Sequence, residues 1–289
     1  MNMNLTDLNT IRPLLARHGF RFSKTLGQNF LCAAWVPARI ADSAELDGDT
    51  GVLEVGPGIG CLTVELAKRA RRVVCVELDR ALEGVLAETL AGLDNVEVLF
   101  ADVMKTDLAA LAAERFSDCG KVAVCANLPY QITTPVLTAF MEAGCFDRVT
   151  VMIQREVARR ACARENTADY GAFTLLMQWY AETEALFDVP PGCFIPAPKV
   201  TSSVLRLTRR AAPPAAVKSE ARFFAVVRAA FNQRRKTLCN ALSAGLGIPK
   251  ERAAAAIAAA GLPENIRGEA LSLAQFAALS DLLPAQNTD

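Results

Sequence analysis

Histidine is nearly absent from this sequence, which has a single copy, His18. A metal site built from several histidines is therefore excluded, and we expect no bound metal. None of the nine cysteines has a partner at the C-x-x-C spacing, and their number is odd. This usage indicates reduced thiols rather than a disulfide framework, so we expect a cytoplasmic protein.

Long apolar runs and an excess of one charge are missing as well. No stretch approaches the about 18 apolar residues of a membrane helix, and the opening MNMNLTDLNTIRP has no apolar core, so we expect neither a membrane span nor a signal peptide. Lys+Arg and Asp+Glu both number 31, which excludes a large nonspecific cationic surface. A 52% apolar composition excludes general disorder, and 289 residues predict about two domains.

Short apolar runs alternate with helical patterns from residue 52 onward. The runs are Val52–Val55, Val73–Val76, Val96–Phe100 and Val122–Ala126, with two more at Val149–Ile153 and Val200–Leu207. β-Branched runs that are buried on both faces and separated by helices predict a parallel sheet. The RRAAPPAAV segment and the Ala-rich helical pattern beyond it predict a boundary. We expect an α/β domain over residues 1–210 and a small all-helical domain over 211–289.

The first strand runs into a glycine turn, Gly56-Pro57-Gly58-Ile59-Gly60, and then into a helix. A dinucleotide fingerprint places its last small residue at position 61, which is Cys61 here. The G-x-G-x-G form, with Glu54 inside the preceding strand, is instead typical of methyltransferases that use S-adenosylmethionine. The later strands end at Glu77 and Asp102. A carboxylate at Glu77 suits both ribose hydroxyls, and Asp102 suits the adenine amine.

The fourth strand ends in the tetrapeptide Asn127-Leu128-Pro129-Tyr130. The exocyclic amine of adenine is a poor nucleophile because its lone pair is delocalised into the ring. The Asn127 side-chain oxygen and the Leu128 carbonyl can together accept both amine hydrogens, while Pro129 restricts the backbone. Tyr130 offers a ring for stacking on an extruded base. A cysteine nucleophile for pyrimidine-carbon methylation is disfavoured, because no cysteine follows a proline.

These motifs extend over nearly the whole chain. They include Gly27–Leu31 (GQNFL), Glu54–Thr63 (EVGPGIGCLT), the Asn127–Tyr130 tetrapeptide, Pro190–Phe194 (PPGCF) and Ala230–Thr237 (AFNQRRKT). In them the sequence resembles the bacterial small-subunit ribosomal RNA adenine dimethyltransferases. The resemblance implies a Rossmann-like class I methyltransferase sheet that binds S-adenosylmethionine and dimethylates two adjacent adenosines near the RNA's 3′ end.

The resemblance also implies which residues form the site. Cofactor contacts are expected at Gln28, Asn29, Leu31, Gly56, Gly58, Glu77, Asp102 and Asn127. Catalytic residues are expected at Asn127, Leu128, Pro129 and Tyr130, with Phe194 opposite Tyr130 to sandwich the target base. The partner is expected to be small-subunit ribosomal RNA in the subunit or its precursor, and the protein to be a monomer.

Local basic clusters explain how a neutral chain could hold RNA. Between Ala221 and Leu242 there are five basic residues and no acid: Arg222, Arg228, Arg234, Arg235 and Lys236. A second cluster contains Arg155 and Arg159, and Arg21 and Lys24 flank the N-terminal motif. Such clusters can contact phosphates with salt-dependent affinity.

Two alternatives remain open at this point. The related large-subunit adenine methyltransferases share the fold and the tetrapeptide, although the Phe231–Thr237 segment favours the small subunit. A ribosome-assembly checkpoint, in which binding matters more than catalysis, can coexist with the enzyme and is not ranked by sequence.

Overall fold

The computed structural model describes residues 3–23 and 26–283, so Lys24 lies outside the described residues. The strands are β1 (Phe30–Leu31), β2 (Thr50–Val55), β3 (Arg72–Glu77), β4 (Val96–Phe100), β5 (Lys121–Asn127), β6 (Arg148–Gln154), β7 (Ala181–Val189), β8 (Phe194–Ile195) and β9 (Ser202–Arg209). The α-helices are α1 (Leu8–Arg17), α2 (Trp35–Ser43), α3 (Cys61–Ala67), α4 (Glu83–Thr89), α5 (Leu108–Arg115), α6 (Thr133–Ala143), α7 (Arg155–Ala161), α8 (Ala172–Tyr180), α9 (Glu220–Asn232), α10 (Leu238–Leu246), α11 (Lys250–Ala259) and α12 (Leu273–Leu282).

Seven strands form one sheet in the order β4-β3-β2-β5-β6-β9-β7. The pairs β3–β4, β2–β3, β2–β5 and β5–β6 are parallel, and β9 runs antiparallel to β6. The chain order reverses between β2 and β5, and open α/β sheets bind ligands at the carboxyl edge beside such a reversal. The predicted fold class, a Rossmann-like α/β sheet with a helical C-terminal region, is confirmed.

Strand β7 was not predicted from the sequence. Its residues, AETEALFDV, are largely exposed or half-buried because it lies at the edge of the sheet, so it lacks the continuous apolar run of the central strands. The short strand β1 was also missed. It pairs antiparallel with β8, which joins Leu31 to Phe194 across the pair.

The chain divides into two compact units: residues 1–158 with 182–209, and residues 159–181 with 210–289. The predicted domains, 1–210 and 211–289, stay predictions, and in this division the segment 159–181 groups with residues 210–289. Helix α8 explains this placement, because its Trp179 stacks on Phe223 with ring centroids 4.2 Å apart in the helical core.

Helix α1 begins three residues earlier than the sequence predicts, since a cap at Thr10 would start it at residue 11. Thr10 is a possible cap by residue type, but Asp7 caps the helix by accepting a hydrogen bond from the Asn9 amide at 2.9 Å. Pro13 consequently lies inside the helix rather than in its first turn. In the segments that the structure describes, no helix is both long enough and apolar enough to span a bilayer.

Candidate active site

One cavity opens at the carboxyl edge of the sheet, beside the reversal between β2 and β5. All of the residues predicted for the cofactor and for catalysis line it: Gln28, Asn29, Leu31, Gly56, Gly58, Glu77, Asp102, Asn127, Leu128, Pro129, Tyr130 and Phe194. The sheet brings them together because β2, β3, β4 and β5 are parallel neighbours that end at the same edge. The N-terminal segment and β8 complete the wall.

The glycine turn after β2 requires its glycines. Gly58 has a φ of 61°, and a side chain there would lie 3.2 Å from the ring of Phe30. Gly60 has a φ of 89°, and its Cβ would lie 2.8 Å from Leu90. Left-handed backbone and close neighbours together exclude larger residues. The turn therefore keeps bare backbone against the cavity.

Two carboxylates from β2 and β3 are buried at the cavity. Glu77 is 6% exposed and accepts a hydrogen bond from the Asp79 amide at 2.7 Å, and burial raises its pKa. Glu54 is 1% exposed, and burial raises its pKa to about 7. The Cys75 thiol donates to Glu54 Oε2 at 3.4 Å. Glu77 is held by backbone amides, which leaves carboxylate lone pairs for a ligand diol.

Asp102 and Gln28 lie at two other points of the cavity wall. Asp102 Oδ1 accepts from the Met104 amide at 3.0 Å and so caps the short helix after β4. The side-chain amide of Gln28 forms hydrogen bonds to two protein groups. Its Oε1 accepts from the Ser23 amide at 2.8 Å, and its Nε2 donates to Asp79 Oδ2 at 2.6 Å. Gln28 thus ties the N-terminal segment to the end of β3. Asp79 was not among the site residues predicted from the sequence, although it lies two residues after Glu77.

The tetrapeptide after β5 is fixed by the elements around it. The Asn127 Nδ2 donates to the Asn29 carbonyl at 3.4 Å, so its Oδ1 is left to accept hydrogen bonds. The Leu128 amide donates to the Met152 carbonyl at 3.1 Å on the neighbouring strand. The Tyr130 and Ser202 hydroxyls are 2.7 Å apart, and burial raises the tyrosine pKa. Sequence reasoning missed Ser202, because no pattern links β9 to this loop.

Phe194 is 4% exposed and belongs both to the apolar core and to the cavity wall. Its pairing with Leu31 places it beside the N-terminal segment. Tyr130 and Phe194 thus both line the cavity, together with Asn127 and a third aromatic residue, Phe30.

The predicted RNA contacts differ in how the protein uses them. Arg234 donates to the carbonyls of Ala168 and Tyr170 at 3.1 and 3.0 Å, so it holds a loop. Arg222 is half-buried, and burial lowers its pKa. The remaining predicted contacts lie at the surface: Arg228, Arg235 and Lys236, together with Arg155 and Arg159, whose salt bridges join them to Asp188 and Asp169 at 3.4 and 2.8 Å.

The sheet order and the series of acids and an amide along its carboxyl edge define a Rossmann-like methyltransferase. Comparison of the sequence with known protein families identifies the family within this class. The model of the family described as ribosomal RNA adenine dimethylase matches residues 19–284. The chain belongs to this family and is an rRNA adenine dimethyltransferase.

Similar proteins of known function can be aligned with almost the full length of this chain. The ribosomal RNA small subunit methyltransferase A of Geobacillus thermodenitrificans is 45% identical over 287 residues, which cover 98% of each chain. The protein of that name from Streptococcus pneumoniae is 43% identical over 98% of this chain and 99% of its own. Among solved structures, the 23S rRNA methyltransferase ErmE has a TM-score of 0.67 and 33% identity, covering 88% of this chain and 99% of its own.

Proposed function

We propose that this protein transfers methyl groups from S-adenosylmethionine to the exocyclic amines of two adjacent adenosines near the 3′ end of small-subunit ribosomal RNA. The observation that carries the proposal is the convergence of Glu77, Asp102 and the Asn127–Tyr130 tetrapeptide on one cavity. The relatives named for the small subunit support the choice of substrate, since they match nearly the whole chain.

The donor set of the cavity fits S-adenosylmethionine. Glu77 is buried and held by backbone amides, which suits a carboxylate that accepts from two ribose hydroxyls. Asp102 suits the adenine amine, and the turn at Gly56 and Gly58 lets backbone approach the methionine half. When bound, the sulfonium supplies an electrophilic methyl group. Asn29 and Leu31 close the same wall, and Gln28 holds that segment in place.

The chemistry left to the protein is orientation of the target amine. Asn127 Oδ1 and the Leu128 carbonyl accept the two amine hydrogens and so favour a pyramidal nitrogen with a directed lone pair. Tyr130 and Phe194 hold the base between their rings. Positioning of this kind accounts for most of the rate in an in-line displacement. No strong base is needed before attack, because the amine proton becomes acidic once the nitrogen is methylated.

Labelled methyl transfer from S-adenosylmethionine tests the proposal, with unmethylated small and large subunits assayed in parallel. Label in the small subunit alone supports it. Label in the large subunit alone would assign the protein to the activity named for ErmE, which is the second candidate because of the 33% identity.

A role in small-subunit biogenesis accompanies the proposed activity. The Glu77→Ala variant separates the two, because removal of the ribose-binding carboxylate disables transfer. Full support of subunit maturation by this variant would show that binding dominates over catalysis. The monomeric state, the cytoplasmic location and RNA binding by the helical unit stay predictions.

A further inference from the structure

An exposed aromatic surface lies outside the cavity, on helix α2 and strand β7. Trp35 and Phe187 have ring centroids 6.1 Å apart, and the Arg39 guanidinium lies 4.2 Å from the centre of the Phe187 ring and 5.9 Å from that of Trp35. Trp35 and Arg39 are four residues apart, so they share one face of α2. Val36, Ile40 and Ala41 point into the core from the opposite face. We call Trp35, Arg39 and Phe187 together the Trp35 surface.

Packing explains only one of the two tryptophans. Trp179 is 1% exposed and stacked on Phe223, whereas Trp35 is 43% exposed. The exposed part of the indole, beside a second ring, is apolar area that a stacked ligand would remove from water. A flat aromatic face with an arginine already placed over its neighbour matches the chemistry that binds unpaired bases.

The charge of the surface also favours RNA. Two acids of β7 are paired with arginines, since Asp188 lies 3.4 Å from Arg155 and Glu184 lies 2.7 Å from Arg206. Within residues 3–23 and 26–283, Arg39 forms no salt bridge with a carboxylate. A positive charge is therefore left for a phosphate or a base.

Two short stretches of chain link the Trp35 surface to Leu31 and Phe194, which line the cavity. The Cys32 amide donates to the Cys193 carbonyl at 2.8 Å, next to the pairing of Leu31 with Phe194. Trp35 follows Cys32 closely along the chain, and β7 leads through a short turn to Phe194. When the target base is extruded, its neighbours lose their own stacking partner.

We propose that the Trp35 surface is a stacking platform for an unpaired base that flanks the target adenosine. The proposal rests on the proposed function, since it deepens how the same RNA is held. Trp35 supplies the ring on which the base stacks. Arg39, which lies over the Phe187 ring, supplies a positive charge beside it.

Intrinsic fluorescence reports on Trp35 directly, because the sequence has only two tryptophans and the other is buried. A labelled single-stranded oligoadenylate gives binding by anisotropy in the same titration. We expect the RNA to quench part of the emission of the full chain and to protect it from acrylamide. The Trp35→Phe variant, in which only Trp179 emits, should show neither effect.

Methylation kinetics with small subunits as substrate distinguish base stacking on an aromatic ring from a general hydrophobic contact. Trp35→Leu should raise KM about tenfold while kcat and the Kd for S-adenosylmethionine stay close to wild type, since loss of one stacked base weakens binding by about that factor. Trp35→Phe keeps a ring and should stay within about twofold of wild type. Leu8→Ala, at a side chain that is 37% exposed on α1, is the matched surface control.

Three results overturn the proposal. If anisotropy shows binding while Trp35 emission and the KM of Trp35→Leu are unchanged, the platform is wrong and the proposed function is untouched. If ribosomal proteins quench the emission and RNA does not, the partner is a protein. If the wild type methylates no small subunits, the proposed function fails first, and the platform fails with it.

Discussion

The hydroxyl of Tyr130 lies 2.7 Å from the hydroxyl of Ser202, which is fully buried on β9. This hydrogen bond joins the loop after β5 to a strand two positions away in the sheet. A tyrosine ring that stacks on a base must be held in one plane, and the contact with Ser202 supplies that constraint. Under the proposed function, Ser202 is therefore a positioning residue for Tyr130.

Replacement of Ser202 by alanine is expected to lower kcat for methyl transfer about threefold to tenfold, because a net hydrogen bond is worth about 1 kcal/mol. The Kd for S-adenosylmethionine should not change. Ser203→Ala is the matched control, since that hydroxyl is also buried but donates to the Phe187 carbonyl at 3.4 Å. Equal losses in both variants would point to general destabilisation instead, whereas Ser202→Thr should restore activity.

Loss of the Asn127 amide is expected to separate binding from chemistry. In Asn127→Ala we expect kcat to fall by about 100-fold or more, the usual effect of removing a group aimed at the reacting atoms. Cofactor affinity, measured by calorimetry, should stay nearer to normal because Glu77 and Asp102 remain. Asn95→Ala, which removes an amide that donates to Ala67 and Ala70, controls for damage to the fold. Equal losses of affinity and rate would contradict this division of roles.

Buried Glu54 is expected to make stability depend on pH. Its pKa of about 7 lies above the ordinary value of 4.5, so the native state binds the proton more tightly than the unfolded state. The free energy of unfolding should therefore fall as pH rises from about 5 to about 7, by a few kcal/mol. Urea unfolding measures this slope. Glu54→Gln should flatten it, while the exposed control Glu114→Gln should not.

Two adjacent arginines are expected to behave differently. Arg234→Gln should lower the free energy of unfolding by about 1–2 kcal/mol, because two carbonyls lose a charged donor. Arg235→Gln should leave stability within about 0.5 kcal/mol and reduce the slope of log affinity against log salt by about 0.7–0.9. RNA binding by the wild type and by Arg235→Gln, measured at several salt concentrations, gives the two slopes to be compared. A stability loss confined to Arg235→Gln would reverse the assignment.

The central strands could be predicted because burial on both faces leaves a continuous apolar run, as at Val73–Val76. Strand β7 could not, since an edge strand with exposed residues carries no such signal. The cap of α1 was predicted at Thr10 and lies at Asp7. Asp7 and Thr10 are both suitable caps by residue type, so residue type alone does not decide between them.

The candidate site was predictable where strand ends determine position. Glu77, Asp102 and Asn127 each end or follow a parallel strand, so their gathering at one edge follows from the order of strands. Arg234 and Ser202 show the limit. The carbonyls that Arg234 binds and the tyrosine that Ser202 meets are more than sixty residues away in sequence, and only the folded chain brings them together.

Mass-spectrometric mapping of methylated nucleosides tests the central claim most directly. Unmethylated small subunits are incubated with the protein and S-adenosylmethionine, and the 3′ region of their RNA is sequenced as fragments. We predict dimethyladenosine at two adjacent positions. Methylation at any other base, or in the large subunit only, would contradict the account.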